Sequence, residues 1–254
     1  MKCWICGCEK MTGEHIPKAS TMRDLFGSVT QQRPLYHSSA HRRNRRMQSI
    51  NSELIKYQVL CGQCNSTMTQ PYDRAWDVFW SFLNENGDAF NADTAIRFYR
   101  IFGYGARNEM LNLHLYAVKL FGCVAAEFSI PLDIAEMADA ISHRRPYPNI
   151  YVGLGKRTWL TSMKVAGPSD VWADLDCTGR CVFAVWFLAI GEWEFQFIYA
   201  VPGQKRDGMT DTWNPIQTRR IRLKNFDTPS NLNDKQMETG LKMIIPSNKG
   251  SDSD

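Results

Sequence analysis

Cys3-Trp4-Ile5-Cys6 and Cys61-Gly62-Gln63-Cys64 are two Cys-x-x-Cys pairs set far apart in the chain. Between them stands Glu14-His15-Ile16-Pro17, and Asn65 follows the second pair at once. Two such pairs can close one tetrahedral thiolate cage around Zn²⁺, the arrangement a structural zinc requires. Gly7 directly after Cys6 suits the tight knuckle, in which backbone N–H groups approach the sulfurs. Closing the cage brings residues 15 and 65 near one another, and both are types that bind metals or move protons. Cys8 reads as a bystander, or as a substitute for Cys6 in the cage.

The elements that must position these groups are legible in outline. Residues 1–72 form the metal module: a knuckle, an extended segment and a long insertion from Ala19 to about Met47. A helix is expected to start near the second cysteine pair and continue past Pro71, since proline is tolerated in a first turn and Asp73 suits the positive end of the dipole. Trp76, Phe79, Trp80 and Leu83 recur at the spacing of one buried helix face, and Ala95, Phe98, Ile101 and Phe102 repeat it. The apolar stretch Leu111 to Phe128 and the segment Pro131 to Ile141 complete a helical region. From residue 150 the period changes to two. Trp193, Phe195, Phe197 and Tyr199 alternate with polar residues, and Gly191-Glu192 reads as the turn of a hairpin. The domain reading is therefore 1–72 metal module, 73–230 helical then β, and 231–254 a disordered tail.

Length and composition narrow the function classes. The 254 residues can hold one large domain or two modest ones. With 44% hydrophobic and 12% aromatic residues, a mainly disordered chain is excluded. The net charge of +4 is uneven: residues 1–80 carry eleven Lys/Arg against six Asp/Glu, so the basic excess accompanies the cysteine motif. A polyanion is expected there. The run His41-Arg42-Arg43-Asn44-Arg45-Arg46 concentrates that charge without an interleaved aromatic, and its arginines are candidate phosphate contacts. The first residues show no apolar core of a signal peptide. Polar residues interrupt the apolar run Val182 to Val201, so no membrane span and a cytoplasmic setting are expected.

At residues 3–6, 14–17 and 61–65 the chain resembles the HNH endonucleases, in their zinc-stabilised ββα-metal branch. Order, spacing and residue identity all agree over roughly the first third of the chain. The resemblance implies that His15 is the general base deprotonating water, which suits an imidazole titrating near neutrality. It implies that Glu14 and Asn65 hold one catalytic Mg²⁺ or Mn²⁺ through hard oxygen ligands. Zinc on Cys3, Cys6, Cys61 and Cys64 would only fix the scaffold. Ile55 stands where the family has its middle asparagine, so orienting His15 falls to Asn51, Gln58 or a backbone carbonyl.

The expectation is an α+β protein: an HNH module followed by a helical region and an antiparallel sheet. It would act as a metal-dependent endonuclease on double-stranded DNA, bound through Arg42, Arg43, Arg45 and Arg46, in an anti-phage or mobile-element context. A protein partner or a second copy would use the C-terminal part. The alternative is a zinc-stabilised nucleic-acid-binding or adaptor protein that keeps the scaffold without catalysis.

Overall fold

The strand that carries Glu14 and His15 pairs with the strand that delivers Cys61. In this computed structural model, which describes residues 2–38, 43–157, 164–204, 206–226 and 242–244, β1 (Met11–His15) lies antiparallel to the later strand Lys56–Cys61. Between them the insertion is ordered where described. It holds α1 (Ala19–Phe26) and a small hairpin of β2 (Leu35–His37) and β3 (Arg45–Met47). Met22, Met47, Ile50 and Ile55 form its own buried cluster, so the insertion carries a satellite core. Lys56–Cys61 is β4; a π-helical turn, Gln63–Met68, then leads into α2 (Gln70–Asn86). The helix begins with Pro71 in its first turn, as the sequence predicts.

The α2 stripe is buried as its spacing requires: Trp76, Phe79, Trp80 and Leu83 are at most 3% exposed. Burying a side chain such as Phe79 or Leu83 contributes about 1.5–3 kcal/mol each. The second predicted stripe is split. Ala95 belongs to β5 (Ala95–Arg97), and only Phe98–Phe102 form a helix, α3. A three-residue strand followed by one helical turn gives the same apolar spacing as a continuous helix face. The helices α4 (Ala106–Glu127) and α5 (Ile134–Ser142) follow, the latter starting three residues later than Pro131 because Asp133 caps it, accepting from the N–H groups of Ala135 and Glu136.

The C-terminal part is a mixed sheet. Its remaining strands are β6 (Ile150–Lys156), β7 (Ala166–Pro168), β8 (Val171–Leu175), β9 (Cys181–Ile190), β10 (Trp193–Ala200), β11 (Arg220–Asn225) and β12 (Lys242–Ile244). The order is β12-β8-β9-β10-β6-β11-β5, with β7 on the same edge of β9 as β8. The β9–β10 hairpin turns at Gly191, which takes a φ of +59°. The sequence predicts an all-antiparallel sheet, and the correction lies at β11. After β10 the chain leaves the sheet, touches β6 in an antiparallel bridge between Trp213 and Val152, and then returns alongside β6 in parallel as β11. Of the expected tail, Lys242–Ile244 pair with β8, and the rest of 231–254 lies outside the described residues.

β10 is buried along its whole length, polar positions included. Trp76 of α2 meets Phe195 at 4.8 Å between ring centroids, and Phe197 stacks on Trp186 at 4.5 Å. The opposite face is covered by a second cluster around Phe183, Val185 and Ile198. Glu194 and Gln196 point into that covered face and are matched there by Arg157 and Lys224. The main core is continuous from Cys3 and Leu60 through α2 and α4 to the sheet. Gly122 of α4 makes one such junction: a Cβ there would lie 2.3 Å from the Trp4 ring, so glycine lets the cysteine knuckle seat on the helix.

His114, fully buried in α4, gives the fold a pH dependence. Desolvation lowers its pKa to about 4, and its Nδ1 has no partner among the described residues. Below about pH 6.5 the unfolded chain takes up a proton that the folded chain refuses until about 4. Stability therefore falls with decreasing pH across that window, by about 1.4 kcal/mol per unit. Urea unfolding of wild type and His114→Gln between pH 7 and 4.5 should show the stability of wild type relative to the variant falling on this slope. Parallel curves would contradict a neutral buried imidazole.

Candidate metal centre and its surroundings

Cys3, Cys6, Cys61 and Cys64 bring their sulfur atoms within 4.8 Å of one another, and no other such group of three or more metal-ligating residues occurs among the described residues. A tetrahedral Zn–S length near 2.3 Å places sulfurs about 3.8 Å apart, so the quartet fits the ion with little adjustment. Cys6 Sγ and Cys61 Sγ lie 3.5 Å apart. Local backbone geometry builds the site. Gly7, at φ +75°, turns the knuckle so that its N–H reaches the Cys3 carbonyl at 2.8 Å, and Cys3 N–H reaches the Cys8 carbonyl at 2.8 Å. The N–H of Cys64 approaches Cys61 Sγ at 3.5 Å. That hydrogen bond is the main reason the Cys61 thiol is lowered to about 7, whereas burial pushes the Cys64 thiol up. Cys8 is exposed and outside the quartet. The chain thus carries a Cys₄ cluster with the donor set of a structural zinc site.

Glu14 and His15, adjacent on β1, have different surroundings. The register shifts between Thr12 and Glu14, and Glu14 turns inward, 6% exposed. Its carboxylate meets Lys119 of α4 at 3.0 Å, and the same ammonium meets Asp73 of α2 at 3.0 Å. Burial disfavours the Lys119 charge, but the attraction of Glu14 and then Asp73 outweighs it and raises the pKa. Burial raises that of Glu14. A related network lies beside this one: Lys18 binds the Asp73 carbonyl at 2.7 Å and Asp77 at 2.6 Å, and Ser20 donates to Asp77 at 2.8 Å. Trp76 donates to Thr21 at 2.9 Å, so α1 is tied to α2 by polar contacts.

His15 is half-buried. Burial first, and then Lys56, lowers its pKa, while a hydrogen bond to the Ile50 backbone acts the other way. Of the candidate orienting groups, main chain stands at the ring. Gln58 donates instead to Glu53 at 2.6 Å, and Asn51 is exposed. His15 Nε2 is buried and has no hydrogen-bond partner among the described residues. Asn65 comes back to β1 at residues 12 and 13, and makes no hydrogen bond to His15 among the described residues: its amide donates to the Gly13 carbonyl at 3.3 Å and to Thr12 Oγ1 at 3.4 Å. The amide thereby holds the bulge between Thr12 and Glu14.

Arg43, Arg45 and Arg46 are exposed on or beside the β2–β3 hairpin; Arg42 lies outside the described residues. The pairing of Tyr36 with Arg46 sets an aromatic, 64% exposed, across from the basic run. No local pattern announces that neighbour, because it comes from the far strand. Sequence reasoning also misses Lys119 and Asp73 at the site. The available signal is Lys119 itself, a lone cation inside the apolar stretch that forms α4, since such a charge is rarely buried without a partner. No helix among the described residues is long and apolar enough to cross a membrane. Comparison with protein families, curated proteins and solved structures finds no match to this chain.

Proposed function

We propose that this chain is a zinc-stabilised nucleic-acid-binding or adaptor protein, built on an HNH-like scaffold and without a hydrolytic centre. The observation that carries this reading is the Glu14–Lys119 ion pair. The carboxylate that the HNH resemblance assigns to a catalytic Mg²⁺ or Mn²⁺ is buried and matched by an ammonium shared with Asp73. Releasing it would leave Lys119, 1% exposed, short of a counter-ion in the core. Glu14 and Asn65 as they stand do not form an open pair of oxygen ligands for such an ion. When bound, zinc would supply cross-linking of the knuckle to the β4–α2 junction and no chemistry. The exposed hairpin of Arg43, Arg45, Arg46 and Tyr36 suits phosphates, to which arginine presents a planar fork.

A second reading, the metal-dependent HNH endonuclease acting on DNA, is favoured by His15. A neutral imidazole whose Nε2 has no partner among the described residues is the form that accepts a proton from water. That reading requires Glu14 to exchange Lys119 for a metal ion.

Nucleic-acid binding is tested by titrating a labelled duplex with wild type and with the Arg43→Ala, Arg45→Ala, Arg46→Ala variant at several salt concentrations. The variant should bind at least about tenfold more weakly, and the slope of log K against log salt should fall by about 0.9 for each phosphate no longer neutralised. Equal affinity and equal slope would remove the hairpin from any role in holding DNA.

A further inference from the structure

The strongest unassigned feature is a groove of about 1040 Å³, remote in sequence from the cysteine motif. It lies between the α3–α4 junction and the edge of the sheet, and its walls include Arg97, Arg107, Arg219 and Arg220 together with Tyr99 and Tyr104. No carboxylate lines it among the described residues. All four arginines are exposed, and none forms an ion pair among the described residues. Arg97 and Arg220 stand directly opposite one another on β5 and β11. Like charges in that relation destabilise a strand pair, and a bound anion is the simplest way to relieve them. Exposure of the aromatics is equally unusual. Tyr104 is fully exposed and Tyr99 is 61% exposed, and the two rings meet edge to face at 6.3 Å. The first residues of the 22-residue helix α4 also line the groove.

We infer that this groove binds single-stranded nucleic acid, with phosphates on the four arginines and bases stacked on Tyr99 and Tyr104. The partner follows from the combination. Arginines without acidic neighbours select a polyanion, while accessible tyrosine faces select one that carries flat rings. A duplex offers phosphates but keeps its bases stacked inside. The inference rests on the nucleic-acid reading above, and it places single strands on a surface that shares no residue with the β2–β3 hairpin.

Fluorescence anisotropy with a labelled 15-mer of oligothymidylate, a labelled duplex and labelled heparin tests it on the full chain. Two variants are used: Arg97→Ala with Arg107→Ala, Arg219→Ala and Arg220→Ala, and separately Tyr104→Ala. All five side chains are exposed, and removing the Arg97–Arg220 repulsion should not harm folding, which a melting curve checks. The arginine variant should bind the oligonucleotide at least tenfold more weakly, with its salt slope reduced by about 0.7 for each phosphate no longer neutralised. Tyr104→Ala should weaken oligonucleotide binding roughly fivefold or more and leave heparin binding unchanged, because heparin has no bases to stack. Wild-type affinity in both variants overturns the inference. So does equal loss of heparin and oligonucleotide in the arginine variant with Tyr104→Ala silent, which would mark a general anion patch suited to an acidic protein. Binding of duplex but not of oligothymidylate by wild type sinks this groove alone; binding of neither sinks it together with the nucleic-acid reading.

Discussion

Cys61→Ser is expected to abolish zinc binding by the Cys₄ cluster and unfold the N-terminal module. Cys61 and Cys64 lie where β4 passes into the helix, and Cys3 and Cys6 hold the knuckle that seats Trp4 against Gly122. A structural zinc contributes about 10–16 kcal/mol of apparent folding free energy in small modules, comparable to the whole stability of a typical domain. Because Val59 and Leu60 belong to the main core, the loss should not stay local. Elemental analysis should find one zinc per wild-type chain and none in the variant, with a large drop in thermal midpoint. Cys8→Ser is the control, since Cys8 is exposed and outside the quartet, and it should retain zinc and stability. A zinc-free wild type, or a Cys61→Ser protein that melts normally, would contradict a structural zinc.

Lys119→Met should cost about 3–5 kcal/mol, the usual result of removing one partner from a buried ion pair. Methionine fills most of the lysine stem, so the loss is one of charge and not of volume. The variant leaves Glu14 and Asp73 facing one another without the ammonium between them. Its pH dependence follows from the sign of that change. Without Lys119 the buried Glu14 carboxyl has a folded pKa above its unfolded value, so the penalty is absent below the unfolded pKa and grows as pH rises. Urea unfolding should therefore show a deficit at pH 7 that shrinks toward pH 5. Adding Glu14→Gln should recover part of it. A Lys119→Met protein within about 1 kcal/mol of wild type at pH 7 would mean the triad is dispensable, and Glu14 would be open to another partner.

The metal quartet is legible in the sequence because cysteine spacing is a local signal with one dominant use. So are the α2 stripe and the β9–β10 hairpin, where periodicity and a turn residue agree. What escapes the sequence has a common cause: it depends on pairings between distant segments. Glu14 looks like a metal ligand beside His15, yet its fate is set by a lysine more than a hundred residues later. Tyr36 joins the basic hairpin only through its register with Arg46. The parallel return of β11 is invisible in an alternation pattern, which fixes faces and not strand direction. Ala95 shows the opposite failure, since a short strand and a helical turn in series reproduce a helix-like spacing.

The central claim, a nucleic-acid-binding scaffold without a hydrolytic centre, meets its most direct test on supercoiled plasmid. Zinc-loaded protein is incubated with the plasmid in buffer containing Mg²⁺ or Mn²⁺, alongside the His15→Ala variant, and nicked and linear forms are followed while a parallel gel shift records binding. The expected result is retardation of the plasmid with no nicking above background in either protein. Nicking by the wild type that requires the added metal ion and disappears in His15→Ala would contradict the claim and establish the endonuclease reading in its place.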